Sequence, residues 1–221
     1  MTNSNLNPHY TFDNFVVGNS NSAAISTIAL ISSKVHNPLY VYGAVGTGKT
    51  HLLHAIGNSF KSSTASVCYR TTEDITDALI HAYRTDTASD FRAEMEAVDL
   101  LLIDDIHLLA GKERTQQEYL QIFESMSIRS KQIVVVSDRS PKESKGMDDR
   151  IIAWFEGGTV ICLNEADLGL KTSILKLRAK EKHIELLDNV AAYIASACST
   201  VRELDCAFNR VFAELSFHSI A

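Results

Sequence analysis

Gly43-Ala44-Val45-Gly46-Thr47-Gly48-Lys49-Thr50 satisfies the pattern G-x-x-x-x-G-K-[ST] at every fixed position, and its flanks decide how it is read. Before it, Leu39-Tyr40-Val41-Tyr42 is a short strand-like run. Behind it, residues 51–60 read as a helix, with Leu52, Leu53, Ala55, Ile56 and Phe60 spaced to bury one side. A strand, a glycine-rich loop and a helix in that order form a phosphate cradle. The glycines let backbone amides turn inward, and the helix amino terminus adds unpaired N–H groups and a favourable dipole. Lys49 supplies positive charge for the phosphates, and the Thr50 hydroxyl is suited to Mg²⁺. A plain glycine-rich surface loop would not explain a Lys-Thr pair at a helix start.

The composition is that of a globular chain. Its 221 residues are 45% hydrophobic and 22% charged, enough for one good-sized domain or a domain with a small satellite. A net charge of −6 argues against coating nucleic acid by bulk charge, although a local basic patch stays open. No apolar run approaches the roughly 18–20 residues that cross a bilayer, and the polar start is unlike a signal peptide. Cys68, Cys162, Cys198 and Cys206 lack zinc-site spacing, so four buried or partly buried thiols in a reducing cytoplasm are expected.

Along the chain, Tyr10, Phe12 and Phe15 lie in a turn-rich run expected to pack against the body, and a helix is predicted over 21–34 with Ile25, Ile28 and Ile31 on its apolar side. Strands are predicted over 65–69, 100–103, 133–136 and 159–163, with helices over 72–83, 90–97, 113–127 and 148–155 between them. Thr72 is the expected cap of the helix that follows it. Short, continuously apolar strands suit a parallel sheet covered on both faces. The fold class is therefore α/β, an open, mostly parallel sheet sandwiched by helices. From about residue 165 the strands stop, and three helices over 167–182, 187–196 and 200–219 make a small all-helical lid, with Leu204, Phe208, Val211, Phe212 and Leu215 at core spacing in the last. The domains are thus 1–163 and 164–221, the second incomplete, and the helices of 72–97 form an insertion in the first.

Asp104-Asp105 closes a buried strand about fifty residues after the glycine loop, where an acidic partner of the phosphate cradle belongs. Asp104 is placed to hold Mg²⁺ through water, and Asp105 to polarise an attacking water. Glu is common at the second position in such hydrolases, so the shorter Asp105 predicts slow turnover. Ser137-Asp138 ends the next strand, and ligands of open parallel sheets sit beyond those carboxyl ends. The pair reads as a phosphate sensor or as a turn cap. Arg202 begins the last helix, where Thr200 can cap and Glu203 can reach back. It is either a solvated first-turn arginine or a cation swung over the phosphates. Lys112 and Arg114 likewise read as a solvated helix start, or as contacts to the backbone of single-stranded nucleic acid. The histidines form no recognisable metal set.

These pieces are similar to those of the AAA+ ATPase domain of the bacterial chromosomal replication initiator (DnaA) family. The matches include residues 7–18, Asn37-Pro38-Leu39, 43–56, 101–106, 109–116, Ser137-Asp138-Arg139, Pro141-Lys142-Glu143, 201–204 and Asn209-Arg210-Val211, in the family's order across almost the whole chain. The resemblance implies that 43–50 is Walker A, Asp104-Asp105 Walker B, Asp138 sensor 1 and Arg202 sensor 2. It implies ATP or ADP with Mg²⁺ as ligand, with Asn14, Val17 and His51 joining the loop around the nucleotide. It makes 72–97 the initiator-specific insertion of a nucleotide-dependent filament, and Lys112, Arg114 and Thr115 contacts to single-stranded DNA. The implied activity is a slow ATPase switch that self-assembles on origin DNA. Two departures qualify this. Asp149-Arg150 is kept, but Trp154 replaces the arginine that in the family completes a neighbour's ATP site, leaving Arg150 as the remaining interface arginine. Lys171 and its neighbours also replace a Glu-Thr-Arg of the family. The family's helicase-interaction and helix-turn-helix domains have no counterpart in the sequence, so specific binding of double-stranded origin boxes is not expected of this chain alone. Two rivals follow: a short regulator docking on the full-length initiator, and a nucleotide-gated assembly module with little hydrolysis.

Overall fold

The computed structural model describes residues 5–28, 37–60 and 65–218, without the side chains of 215–218. Five parallel strands, β1 (Leu39–Tyr42), β2 (Val67–Thr71), β3 (Leu100–Asp104), β4 (Gln132–Ser137) and β5 (Thr159–Cys162), form one sheet in the order β2-β3-β4-β1-β5. The register aligns Leu39 with Val134 on one side and with Thr159 on the other, so β1 lies inside the sheet and β5 at its edge.

Alternate residues of each strand point to opposite faces, and each face has its own core. Leu39 and Val41 join Leu52, Leu53 and Ile56 of α2 (Lys49–Phe60) on one side. Tyr40, Leu101 and Ile103 face Phe123 of α5 (Glu113–Ile128) and Phe155 of α6 (Asp149–Glu156) on the other. The β5 edge strand is the most open of the five. Val160 is 38% exposed and Cys162 is open, because among the described residues no further strand pairs with β5 on its outer side.

The helix predicted over 21–34 is seen as α1 (Ser22–Ile28); Ile31 and the side chain of Leu215 lie outside the described residues. Two helices, α3 (Thr72–Arg84) and α4 (Ala88–Ala97), fill the expected insertion. The cap of α3 is Thr71 rather than Thr72: its hydroxyl accepts from Asp74 N, and the Asp74 carboxylate accepts from Thr71 N. Thr72 is instead buried, and its hydroxyl donates to the carbonyl of Asp104 at 2.9 Å. The shift of one residue fastens the insertion to the end of β3.

The lid comprises α7 (Leu168–Glu181), α8 (Asp188–Ala197) and α9 (Val201–His218), closed around Leu175, Ala179, Ala195, Leu204 and Phe208. Val211 stands 42% exposed, outside the core its spacing suggested. All four cysteines are free thiols, two buried (Cys68, Cys198) and two exposed (Cys162, Cys206), which corrects the expectation that none is open. No helix of the described residues is long and apolar enough to cross a membrane.

Candidate functional site at the carboxyl ends of the strands

The glycine loop leaves the end of β1 and runs straight into α2. Gly46 and Gly48 adopt φ of 84° and 94°, backbone that a side chain would strain. A methyl group at Gly46 would also come within 3.0 Å of Thr200 Cβ, so the lid rests directly on the loop there. Lys49 is 8% exposed, and its Nζ donates to the carbonyls of Gly43 (2.7 Å) and Ala44 (2.9 Å). Burial lowers the pKa of this ammonium, while Asp105, Asp104 and Asp138 oppose the shift. Thr50 beside it is open to the same cleft.

Asp104 is almost wholly buried at the end of β3. Its Oδ2 accepts from the Tyr69 hydroxyl at 3.1 Å and its Oδ1 from the amide of Asp105 at 2.9 Å. Each oxygen keeps lone-pair capacity for one further partner. Asp105 takes left-handed backbone, φ 54° and ψ 45°, which aspartate tolerates better than most residues. That turn brings its carboxylate into the cleft, where burial and the adjacent Asp104 raise its pKa.

Asp138 follows β4. The Arg139 guanidinium grips both its oxygens (2.7 and 2.9 Å) and holds its pKa below the usual carboxylate range, against a smaller opposing effect of burial. His107 faces the same carboxylate with Nδ1 at 3.5 Å, too far for a hydrogen bond, and this buried nitrogen has no hydrogen-bond partner among the described residues. Across the cleft, α9 contributes Arg202, which is exposed. Thr200 Oγ1 accepts from Glu203 N at 3.2 Å, and Glu203 reaches back to the amide of Ser199 at 2.7 Å, one residue earlier than expected. The cleft that gathers Lys49, Thr50, Asp105, Asp138 and Arg202 has a volume of about 590 Å³.

A smaller cavity between the amino-terminal segment and the lid adjoins it, lined by Asn14, Phe15, Thr47, His51 and Arg178 among others. Asn14 is a clasp within its own turn. Its Oδ1 accepts from Thr11 N (3.0 Å) and faces His51 Nε2 (3.0 Å), while its Nδ2 donates to the His9 carbonyl (2.7 Å). Burial lowers the pKa of His51, which stacks on Tyr10 with ring centroids 4.7 Å apart. Val17 is 53% exposed and lines neither space; its neighbour Val16 lines the smaller one.

The other expected site residues stand elsewhere. Arg114 and Thr115 line a groove between α3 and α5, and Lys112 is exposed at the start of α5. Arg150 lies on α6, its side chain 65% exposed and paired with Asp148 at 2.8 Å. Trp154 turns inward and stacks on Phe123, centroids 4.6 Å apart and planes 12° from parallel. Sequence reasoning missed Tyr69, His107, Arg139 and Arg178. Arg178 lines both spaces from the lid and pairs with Asp205 and Glu181, each at 3.3 Å. Tertiary packing brings His107 and Arg178 to the cleft and Tyr69 to the Asp104 carboxylate behind it; the adjacency of Arg139 to Asp138 was the one available signal.

Residues 6–162 match the model of the bacterial DnaA ATPase domain. The chain belongs to the DnaA family. It is 42% identical over 216 residues to the chromosomal replication initiator protein DnaA of Caldanaerobacter subterraneus subsp. tengcongensis, covering 95% of this chain and 49% of that protein. It thus spans about half the length of this curated DnaA relative. Domain III of the Thermotoga maritima DnaA superposes with a TM-score of 0.92 at 34% identity, over 97% of this chain and 92% of that one. A DnaA bound to AMPPCP and single-stranded DNA superposes with a TM-score of 0.87 at 38% identity, over 93% and 65%. The architecture is therefore the AAA+ P-loop fold, and the chain carries a DnaA-type ATPase domain.

Proposed function

We propose that this chain binds ATP with Mg²⁺ in the 590 Å³ cleft and uses the nucleotide state to switch self-assembly on single-stranded origin DNA, with slow hydrolysis. One observation carries the reading: a buried lysine, two strand-end carboxylates and a lid arginine converge on one polar cleft beside a helix amino terminus. Lys49 exchanges its two loop carbonyls for phosphate oxygens, and the amides of 46–50 complete the cradle. Asp104 and Thr50 are the residues that would hold Mg²⁺, which supplies charge neutralisation on the phosphates. The free lone pairs on Asp104, set behind Asp105, suit contact through water. Asp105, its proton affinity raised by burial, orients the attacking water. The water oxygen bonds to the γ-phosphorus, the bond to the β–γ bridging oxygen breaks, and the water's proton leaves with phosphate or solvent. Asp138 and Arg202 sense the γ-phosphate from the sheet and the lid, so occupancy of that position governs how the lid sits.

The test is nucleotide affinity of Lys49→Ala beside the parent chain. Loss of one charge-assisted contact set of about 1.5–3 kcal/mol predicts roughly 10–100-fold weaker ATP binding. Unchanged affinity would overturn the assignment of the cleft. Trp154 favours a second reading, a nucleotide-gated assembly module with little hydrolysis, because an inward-stacked indole offers no charge to a neighbour's phosphates. Phosphate released per bound ATP separates the two readings.

A further inference from the structure

Asp138 cannot by itself hold a phosphate. Its carboxyl is kept ionised at neutral pH, and an ionised carboxylate only accepts hydrogen bonds, as phosphate oxygens do. Two such groups repel unless a donor stands between them. Arg139 and His107 both face this carboxylate. Arg139 holds its two oxygens, but the Arg139 side chain is 46% exposed and lies outside the lining of the cleft. Of the two, only His107 lines the cleft.

The backbone beneath that ring is anchored. His107 belongs to a 3-10 turn, Ile106–Leu109, that follows the left-handed Asp105. Ile106 and Leu109 are fully buried, and the Leu109 carbonyl accepts from Gln116 Nε2 of α5 at 2.8 Å. Nδ1 of His107 is sealed against Asp138 Oδ1, and an approach of about half an ångström makes that contact a hydrogen bond. Imidazole carries its second nitrogen on the opposite edge of the ring, so Nε2 is the atom left for the cleft. A doubly protonated ring has a donor on each edge, and anions at both edges favour that form. Asp105, on the same wall, adds a further negative charge that interacts with the ring.

We propose that His107 bridges Asp138 to the γ-phosphate: Nδ1–H donates to the carboxylate and Nε2–H to a phosphate oxygen, so that Asp138 reads the nucleotide through the ring. This rests on the reading that the cleft holds ATP with Asp138 at its γ-position, and it supplies the donor that a carboxylate lacks. A diphosphate leaves the Nε2 edge without its anion, so the contact discriminates triphosphate from diphosphate.

The test compares equilibrium affinities of the full chain, with Mg²⁺ present, for ADP and for a slowly hydrolysed ATP analogue. His107→Phe, which keeps a ring and loses both donors, is expected to bind the analogue roughly ten-fold more weakly and ADP as well as before, as loss of one hydrogen bond to a charged group requires. His107→Gln, whose amide nitrogen reaches about as far as Nε2, recovers part of that loss. Asp138→Ala is expected to lose affinity for the analogue selectively, and adding His107→Phe to it costs less than in the parent, because the bridge has already lost one end. Equal losses on both nucleotides in the Phe and Gln variants, or no loss, with Asp138→Ala still selective, overturn the bridge alone. Full additivity of the two substitutions does the same. If Asp138→Ala leaves the preference between the two nucleotides unchanged, γ-phosphate sensing by Asp138 is overturned and this inference with it.

Discussion

Trp154 packs as a core residue while standing at the edge of the core. Its ring lies flat on Phe123 and edge-on to Phe155, so the indole fills space over α5. In the family resemblance this position carries a cation directed at a neighbouring protomer. Trp154→Arg trades the stacked contact for a charge, costing roughly 1–2 kcal/mol of stability from lost aromatic packing. If assembly brings this helix face to a second copy's cleft, the variant is expected to release phosphate at least about ten-fold faster at assembling concentrations, and no faster when dilute. Phosphate release measured across a dilution series checks this; a rate independent of concentration places residue 154 away from any neighbour's phosphates. Residue-scale legibility followed the range of the interaction. The roles of 43–50 are local, fixed by glycines and a helix start, and could be read directly. The cap of α3 was misread by one position because Thr71 and Thr72 are equally good acceptors, and only the bond from Thr72 to the Asp104 carbonyl separates them. His107 carried no local signal, since its place beside Asp138 depends on β3 and β4 being neighbours.

At the scale of elements, one residue joins β2, β3 and β4 at the end of the sheet opposite the cleft. Asp99, just before β3, accepts from Ser66 N (2.9 Å) and Ser66 Oγ (3.0 Å) ahead of β2, and from Lys131 Nζ (2.6 Å) ahead of β4. Its backbone carbonyl accepts from Gln132 N at 3.0 Å. The hydrogen bond from Lys131, then those from Ser66, hold the Asp99 carboxyl down to about 2. A depressed folded-state pKa means stabilisation that is complete above the unfolded value near 3.9 and lost as pH falls through about 2. Asp99→Asn is therefore expected to lower the urea midpoint at neutral pH, with the two proteins converging between about pH 4 and pH 2. Urea midpoints across that range decide it; parallel curves would mean the ionised carboxylate contributes nothing. The strands joined here were legible because continuously apolar runs suit a covered parallel sheet. The openness of β5 was not, because whether an outer face is covered depends on which strands neighbour it. The insertion helices were legible as surplus elements, yet their fastening through Tyr83, Glu118 and Arg92 arises only when three helices meet.

The whole molecule is a core and a lid that touch at the phosphate loop. The near-contact between Gly46 and Thr200 and the packing of Leu170 against Gly18 place the lid against both the loop and the amino-terminal segment. Arg202 and Arg178 enter the cleft from the lid, Lys49, Asp105 and Asp138 from the core, so a triphosphate would be held by groups from both bodies. A diphosphate lacks the γ-position that Asp138 and Arg202 would sense, and it would leave the lid less constrained. In the proposed switch, ligand state would thereby set the relative placement of two surfaces, one carrying Arg150 on α6 and the other belonging to the lid. If these surfaces meet between copies, particle mass in solution is expected to rise with ATP or a slowly hydrolysed analogue, to stay monomeric with ADP, and to rise further when single-stranded DNA is added. Light scattering of the six combinations of three nucleotides with and without DNA makes the comparison. Growth with ATP would mean that Arg150, or another group on that face, suffices without an arginine at 154. A monomer that binds nucleotide under all six conditions would overturn self-assembly of this chain and direct the search to a heterotypic partner, beginning with a full-length DnaA.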